Sequence, residues 1–272
     1  MIEIGIDPVA FSIGSHEVRW YGVIVAIAVV VVVLWAYRCI LQVKDTLKVP
    51  PDIMIAPVAI ASGVAGAKLV HVMESWQYYI EHPAEIFSGG GLAIYGGVIG
   101  AMLGSWLYLR FSSQGKERIK DFFRVADLIA PGIILAQAIG RVGCLVNGCC
   151  WGNPAAEWVP WSIVYTHPNS YAPLNVPLHP TQVYEIIFAV IMFVILLRLT
   201  GRLKPEGSLL MVYFISYSTW RIIIGFWREA SAYFIGGLSQ AQIISIVVLS
   251  VSLFIFVYRR KRYRNEKRSS QV

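Results

Sequence analysis

The sequence predicts an all-α polytopic membrane protein: seven transmembrane helices in a single membrane domain over 1–272, with a small external cap at 143–181 between the fourth and fifth. Three observations predict it. Apolar residues make up 57% of the chain and charged residues 14%, a balance typical of bilayer-embedded chains. Nearly uncharged runs recur at roughly 20–40, 53–74, 91–110, 125–141, 182–199, 207–227 and 239–258, each near the ~20 residues that cross the hydrocarbon. The basic residues fall on one side of those runs.

Of 23 Lys and Arg, eighteen lie at ends or loops on one face: Arg38, Lys44 and Lys48, then Arg110 to Arg124, then Arg198 to Lys204, then Arg259 to Arg268. The opposite connections, Trp76–Gly90 and Val142–Thr181, have none. The positive-inside rule places the basic side in the cytoplasm, the N-terminus outside and the tail inside. The net charge of +7 therefore reports orientation, not a nucleic-acid partner. Met1–Gly14 carries acids and no basic n-region, so no cleavable signal peptide is read there. The 143–181 segment holds six of the 13 prolines and three tryptophans, too broken to span and placed at headgroup level.

Depth then follows from position along each span. Tyr21 opens the first span. Lys68 and His71 lie in the outer half of the second, and Tyr95 about a turn into the third. Arg141 and Asn147 close the fourth, Gln182, Tyr184 and Glu185 open the fifth, and Tyr217 and Arg221 lie in the outer half of the sixth, with Arg228 beyond. An intramembrane charge costs roughly 2.5–3.5 kcal/mol on insertion scales, so cations sharing one depth point to a common ligand. The abundant anion at outer-leaflet depth is a lipid phosphate, which arginine binds through a planar fork. Each residue also has a structural explanation: snorkelling for Arg141 and Arg228, pairing with Glu185 or Glu74 for Arg221 and Lys68, an aromatic belt for Tyr21. Gly63, Gly66, Gly100 and Gly104 suit small-residue helix packing, while Ser88–Gly91 and Gly96-Gly97 could present backbone N–H groups to phosphate.

These residues are similar to the bacterial prolipoprotein diacylglyceryl transferases. The resemblance runs from Trp20-Tyr21-Gly22 to Arg221, through Asp127, Pro131 and Gln137, Gly140-Arg141-Val-Gly143, Asn147-Gly148 and Trp151-Gly152. His179-Pro-Thr-Gln182-Val-Tyr184-Glu185, Gly66-Ala-Lys68 and the Tyr217/Arg221 pair complete it. It implies transfer of the diacylglyceryl group of phosphatidylglycerol to the lipobox cysteine of prolipoproteins in the inner membrane, without a cofactor. The partners implied are that lipid and the signal peptide. On the family pattern Arg141 and Arg221, with Tyr95, are catalytic. Tyr21, Lys68, Asn147, Gly148, Gly152, Gln182, Glu185 and Tyr217 bind substrate. The chain departs from the pattern where Tyr95 stands for a histidine, Cys144 for an asparagine, Cys149 for a glutamate and Gly225 for an acid four positions after Arg221. The departures leave two further readings open: a paralogue transferring a lipid or headgroup fragment to another acceptor with its own cysteines, and a non-enzymatic lipid-binding protein.

Cys144, Cys149 and Cys150 are the undecided thiols. A disulfide from Cys144 to one of the pair would leave an odd thiol. A thiol beside Arg141 would have a lowered pKa and could act as a nucleophile. No metal is assigned, because adjacent cysteines chelate awkwardly and the C-x4-C-C spacing lacks a fourth ligand.

Overall fold

A computed structural model describes residues 1–14, 16–47, 54–87, 93–112, 115–156, 158–229 and 235–269. The protein is mostly helical and polytopic. Among the described residues five helices are long and apolar enough to cross a bilayer, within α1 (Trp20–Val43), α2 (Ile55–Glu74), α5 (Gly115–Asn147), α6 (Thr181–Leu199) and α8 (Gln240–Ser269). α4 (Ile94–Phe111) occupies the third expected stretch, and α7 (Ser208–Ile224) is apolar but only 17 residues long. A short α3 (Trp76–Glu81) follows α2. Valines and leucines of α1 such as Val30 and Leu34 face outward, as expected of a helix solvated by lipid.

The expectation of an all-α chain is corrected. Among the described residues two small sheets are present. β2 (Val9–Ile13) and β3 (His16–Arg19) form an antiparallel hairpin, and β1 (Ile2–Ile4) pairs in parallel with β4 (Ile163–Tyr165). Gly14, at φ 63°, turns the hairpin, a conformation glycine adopts without steric penalty. The β1–β4 pairing joins residues about 160 apart in sequence, Ile2 with Ile163 and Ile4 with Tyr165. α5 also starts earlier and ends later than the fourth expected span. It runs 33 residues with Pro131 inside it, so the irregular connection begins at 148 rather than 143. That connection has its own core of Ile163, Tyr165, Ala172 and Leu178, packed by Ile4, Leu145 and Trp151.

The described residues form two compact units, Met1–Cys39 with Ala126–Val272, and Ile40–Val125. In the second unit α2 packs on α4 through glycine. A Cβ on Gly66 would meet the Gly96 carbonyl and lie 2.9 Å from Gly100 Cα; one on Gly63 would lie 3.3 Å from the Gly97 carbonyl. Helices approach this closely in lipid because small side chains let backbones gain dispersion contacts. Ser88–Gly91, proposed from sequence as an N–H cradle, lies outside the described residues.

In the first unit, side chains fill the gaps between helices. Trp35 of α1 lies over Gly132 of α5 and donates to the Leu128 carbonyl at 3.0 Å. Asp127 of α5 accepts from the backbone N–H groups of Gly207 (2.7 Å) and Leu210 (2.8 Å). It thereby caps the start of α7 with a carboxylate from another helix, where the orphan N–H groups of a first turn need acceptors. Phe188 and Trp220 stack at 4.7 Å between α6 and α7.

Candidate functional site

One end of the first unit gathers the polar residues. α5 and α7 finish there, and α1 and α6 begin there. Glu185, in the first turns of α6, is 5% exposed and pairs with two cations. Arg141 of α5 meets it through Nε, and Arg228 donates to it through Nη1 at 3.2 Å. Arg141 also contacts the Cys144 thiol at 3.5 Å and is hydrogen-bonded with Tyr217 of α7. A carboxylate shared by two guanidinium groups offsets the desolvation that would make either buried charge prohibitive.

Arg221, one turn beyond Tyr217, is half-buried and lies in electrostatic reach of Arg228, Glu185, Tyr217 and Arg141. Among the described residues its guanidinium makes no hydrogen bond or ion pair with the protein. On α5, one turn below Arg141, the side-chain amide of Gln137 is buried with neither its nitrogen nor its oxygen partnered. The cluster therefore combines two engaged arginines with an unengaged one and an idle amide. Such groups, held in place without protein partners, fit an anionic ligand with polar substituents.

The 148–180 connection is fastened to this cluster. Gln182, 1% exposed, donates to the Cys149 carbonyl at 2.8 Å, and Thr181 Oγ1 donates to the Cys150 carbonyl at 2.9 Å. Tyr165 donates to the Leu145 carbonyl at 3.0 Å. Gly148 has φ 66°, and a Cβ there would collide with Ser170. Gly152 is squeezed between His179 and the Trp227 carbonyl, which a Cβ would approach to 2.7 Å. That close pass pairs Gly152 with Arg228 as a β-bridge and sets Asn153 N–H on the Trp227 carbonyl at 2.8 Å. The register holds Arg228 over Glu185.

The sequence-predicted residues divide between the two units. Arg141, Gln182, Glu185 and Tyr217 are buried in the cluster, and Tyr21, half-buried against Gly143, faces Arg141 and the three thiols. Asn147 accepts at 3.2 Å from Arg19, whose guanidinium also lies 4.1 Å over the Tyr171 ring. Gly148 and Gly152 are backbone hinges of the connection. Lys68 belongs to the second unit, where its ammonium bonds to the Tyr79 hydroxyl and the Glu85 carbonyl, both at 3.3 Å. The side chain of Glu74, one of the partners expected from sequence, lies outside the described residues. Tyr95 is the second residue of α4, and its side chain lies outside the described residues.

The structure adds Arg228 and Arg19 to the cluster. Arg228 had a weak signal, standing seven positions after Arg221, but its partner Glu185 is 43 residues away. Gly225, where the family keeps an acid, is filled from another helix. A Cβ there would lie 2.6 Å from the side chain of Gln242 of α8, which donates to the Ile222 carbonyl at 3.0 Å.

The three thiols converge. Cys144, Cys149 and Cys150 are all free, with their Sγ atoms within 4.8 Å of one another. Cys150 has φ 63°, the left-handed region that costs a non-glycine residue energy. Hydrogen bonding from Cys144 and Cys149, then the charges of Arg228 and Arg141, hold the Cys150 thiol well below its ordinary value. Hydrogen bonding with Cys144 and Cys150, then burial, pushes the Cys149 thiol far above its own.

Comparison with known proteins matches the sequence to a family. The family model described as prolipoprotein diacylglyceryl transferase covers residues 8–258. A phosphatidylglycerol–prolipoprotein diacylglyceryl transferase of Dehalococcoides mccartyi is 42% identical over 270 residues, 98% of this chain and 99% of that protein. Proteins of the same name from Staphylococcus epidermidis (34% identical; 95% of this chain, 91% of that one) and Clostridioides difficile (33%; 95% and 98%) are also similar. With the match running almost end to end, the chain belongs to the prolipoprotein diacylglyceryl transferase family.

Proposed function

We propose that this protein transfers the diacylglyceryl group of phosphatidylglycerol to the lipobox cysteine thiol of prolipoproteins at the outer leaflet of the bacterial inner membrane. The names of its relatives and the site chemistry support the same reading. In it the chain crosses the membrane seven times, with the N-terminus outside and the basic tail of α8 inside. The 148–180 connection is an external cap that shields the cluster from water.

The observation that carries the reading is Arg221: a half-buried cation with no partner among the described residues, beside an engaged Arg141 and the idle amide of Gln137. In the reaction the acceptor sulfur attacks the glycerol carbon bonded to the phosphate oxygen. A carbon–sulfur bond forms, the carbon–oxygen bond breaks with its electron pair on oxygen, and glycerol phosphate leaves. Negative charge on the departing group grows where Arg221 waits and where Arg141 is held by Glu185. Cations fixed in a dry site stabilise such charge without reorganising. Tyr21, Asn147 and Tyr217 position the headgroup, Gln182 and Glu185 hold the cap and the arginines, and Lys68 and Tyr95 keep the substrate-binding and catalytic roles that the family resemblance implies.

The test is transfer in proteoliposomes of phosphatidylglycerol, read as the mass gain of a lipobox peptide. Wild-type protein gains the diacylglyceryl mass. Arg221→Ala and Arg141→Lys each lose at least about 100-fold, the scale of a missing charge-stabilising donor or of a fork replaced by a point charge. Wild-type protein that modifies no lipobox peptide, or an Arg221→Ala variant of normal rate, overturns the reading.

A further inference from the structure

We propose that Cys144, Cys149 and Cys150 form a three-thiolate zinc site whose fourth position takes the acceptor thiol of the prolipoprotein. The inference deepens the proposed transfer reaction and rests on it.

Geometry is the first support. Zn–S bonds of about 2.3 Å in a tetrahedron set sulfur atoms about 3.8 Å apart. The three Sγ atoms already lie within 4.8 Å of one another, so binding needs only a small contraction. Adjacent cysteines ordinarily direct their side chains apart. Here the left-handed backbone of Cys150 (φ 63°) follows Gly148 (φ 66°) and folds the pair back toward Cys144. Strain of this kind persists only where the surroundings enforce it. The surroundings do so: Gln182 and Thr181 clamp the Cys149 and Cys150 carbonyls, and the Cys149 N–H bonds to the Cys144 carbonyl at 3.1 Å. These bonds aim the three sulfurs without using them.

Ligand number is the second. Among the described residues the group comprises those three thiols and no further His, Asp or Glu. A structural zinc site closes with four protein ligands; a site with three keeps a position for substrate.

Charge is the third. Arg141 touches Cys144 and Arg228 faces Cys150, while Glu185 neutralises one of the two arginines. With Arg221 counted, the cluster with neutral thiols carries two net positive charges; three thiolates on Zn(II) cancel one of them and the bound acceptor thiolate the other. Positive neighbours also favour the deprotonated sulfur that zinc requires.

The chemistry closes the argument. The transfer is an alkylation of sulfur, and the nucleophile is the thiolate. The histidine and glutamate of the family pattern are Tyr95 and Cys149 here, so the obvious proton acceptors are missing. A thiol coordinating zinc loses its proton outright. The acceptor thiol binds as thiolate and its proton passes to water. Its sulfur then attacks the glycerol carbon, the carbon–oxygen bond breaks toward the phosphate, and the thioether, a poor zinc ligand, leaves the metal. No oxidant or reductant enters. The contact between Arg141 and Cys144 sets the activated sulfur beside the cations that receive the phosphate.

The experiment uses full-length protein purified in detergent under reducing conditions without chelator. Metal analysis should give about one zinc per chain, lost in Cys149→Ser and in Cys150→Asn, a substitution that tolerates φ > 0. Cobalt(II) in place of zinc should show the visible and charge-transfer bands of tetrahedral thiolate coordination. Those bands should shift when a lipobox peptide is added and stay still with its Cys→Ser version. Protein stripped of zinc should transfer at least about 100-fold more slowly and recover on adding zinc back, the scale of lost proton-transfer assistance.

Zinc content equal in wild-type and cysteine variants, or a Cys144 disulfide in protein purified without reductant that transfers at full rate, overturns the site. Cobalt bands that ignore the peptide overturn its open position. Full transfer by metal-free protein overturns the inference and leaves the transferase reading intact. Zinc-loaded protein that binds peptide without transferring overturns that reading and leaves the site intact.

Discussion

The α2–α4 pair and the α5–α6–α7 cluster solve one problem in opposite ways. Helices in lipid gain nothing from hiding apolar surface, because the surrounding solvent is itself apolar. α2 and α4 answer by removing side chains, so that Gly66, Gly96 and Gly100 bring backbone against backbone. The other region answers by burying charge, with Glu185 between Arg141 and Arg228 and the cap sewn down by Gln182 and Thr181. The first solution places bare backbone at its seam. The second leaves Arg221 and Gln137 with capacity to spare, and the price is a structure that depends on one carboxylate.

Glu185→Gln should expose that dependence most strongly. Two buried guanidinium groups would lose their counter-charge, and breaking such a pair costs about 3–5 kcal/mol. Thermal melting in detergent should drop well below wild type with activity abolished. A variant that melts normally would mean the arginines are already neutralised by another group.

Gly66→Val attacks the other strategy. Its side chain would have to displace the Gly96 carbonyl and Gly100, an overpacking of about 1–3 kcal/mol. Proteolysis and melting should report looser packing within Ile40–Val125, while zinc content and the cobalt spectrum stay at wild-type values. An unchanged melting curve would show that the helices can separate without loss.

The smallest effect lies outside both. Asp7 accepts from the Val9 N–H at 2.9 Å and from Asn169 at 3.1 Å, which hold its carboxyl below the ordinary 3.8. A depressed folded-state pKa contributes stability above the unfolded value and loses it as pH falls through the folded one. Melting of wild type minus Asp7→Asn should therefore show a slight difference near neutral pH that vanishes as the solution is acidified below about pH 4. A difference that grows on acidification would reverse the sign and refute the bonding scheme.

The two strategies were unequally legible in sequence. Hydropathy is a one-dimensional signal, so the long apolar helices and the glycine spacing of α2 and α4 could be read directly. Pairings between distant residues could not. β1 is three residues long and finds its partner at Ile163, and Arg228 finds Glu185 only because Gly152 passes tightly beneath Trp227. The depth argument did locate Arg141, Glu185, Tyr217 and Arg221 at one end, and the bonds of Lys68 to Tyr79 and Glu85 lie within its own unit. The convergence of the thiols was hidden because it turns on a backbone angle at Cys150 that its side chain disfavours.

Gln242 beneath Gly225 makes two positions on different helices share one volume. A side chain at 225 and the end of the Gln242 side chain would compete for that space, so the glutamine would have to swing aside and give up its bond to the Ile222 carbonyl. A substitution on α7 at this point is therefore felt first on α8: the seam couples the two positions, and what one helix gains in side-chain volume the other has to yield.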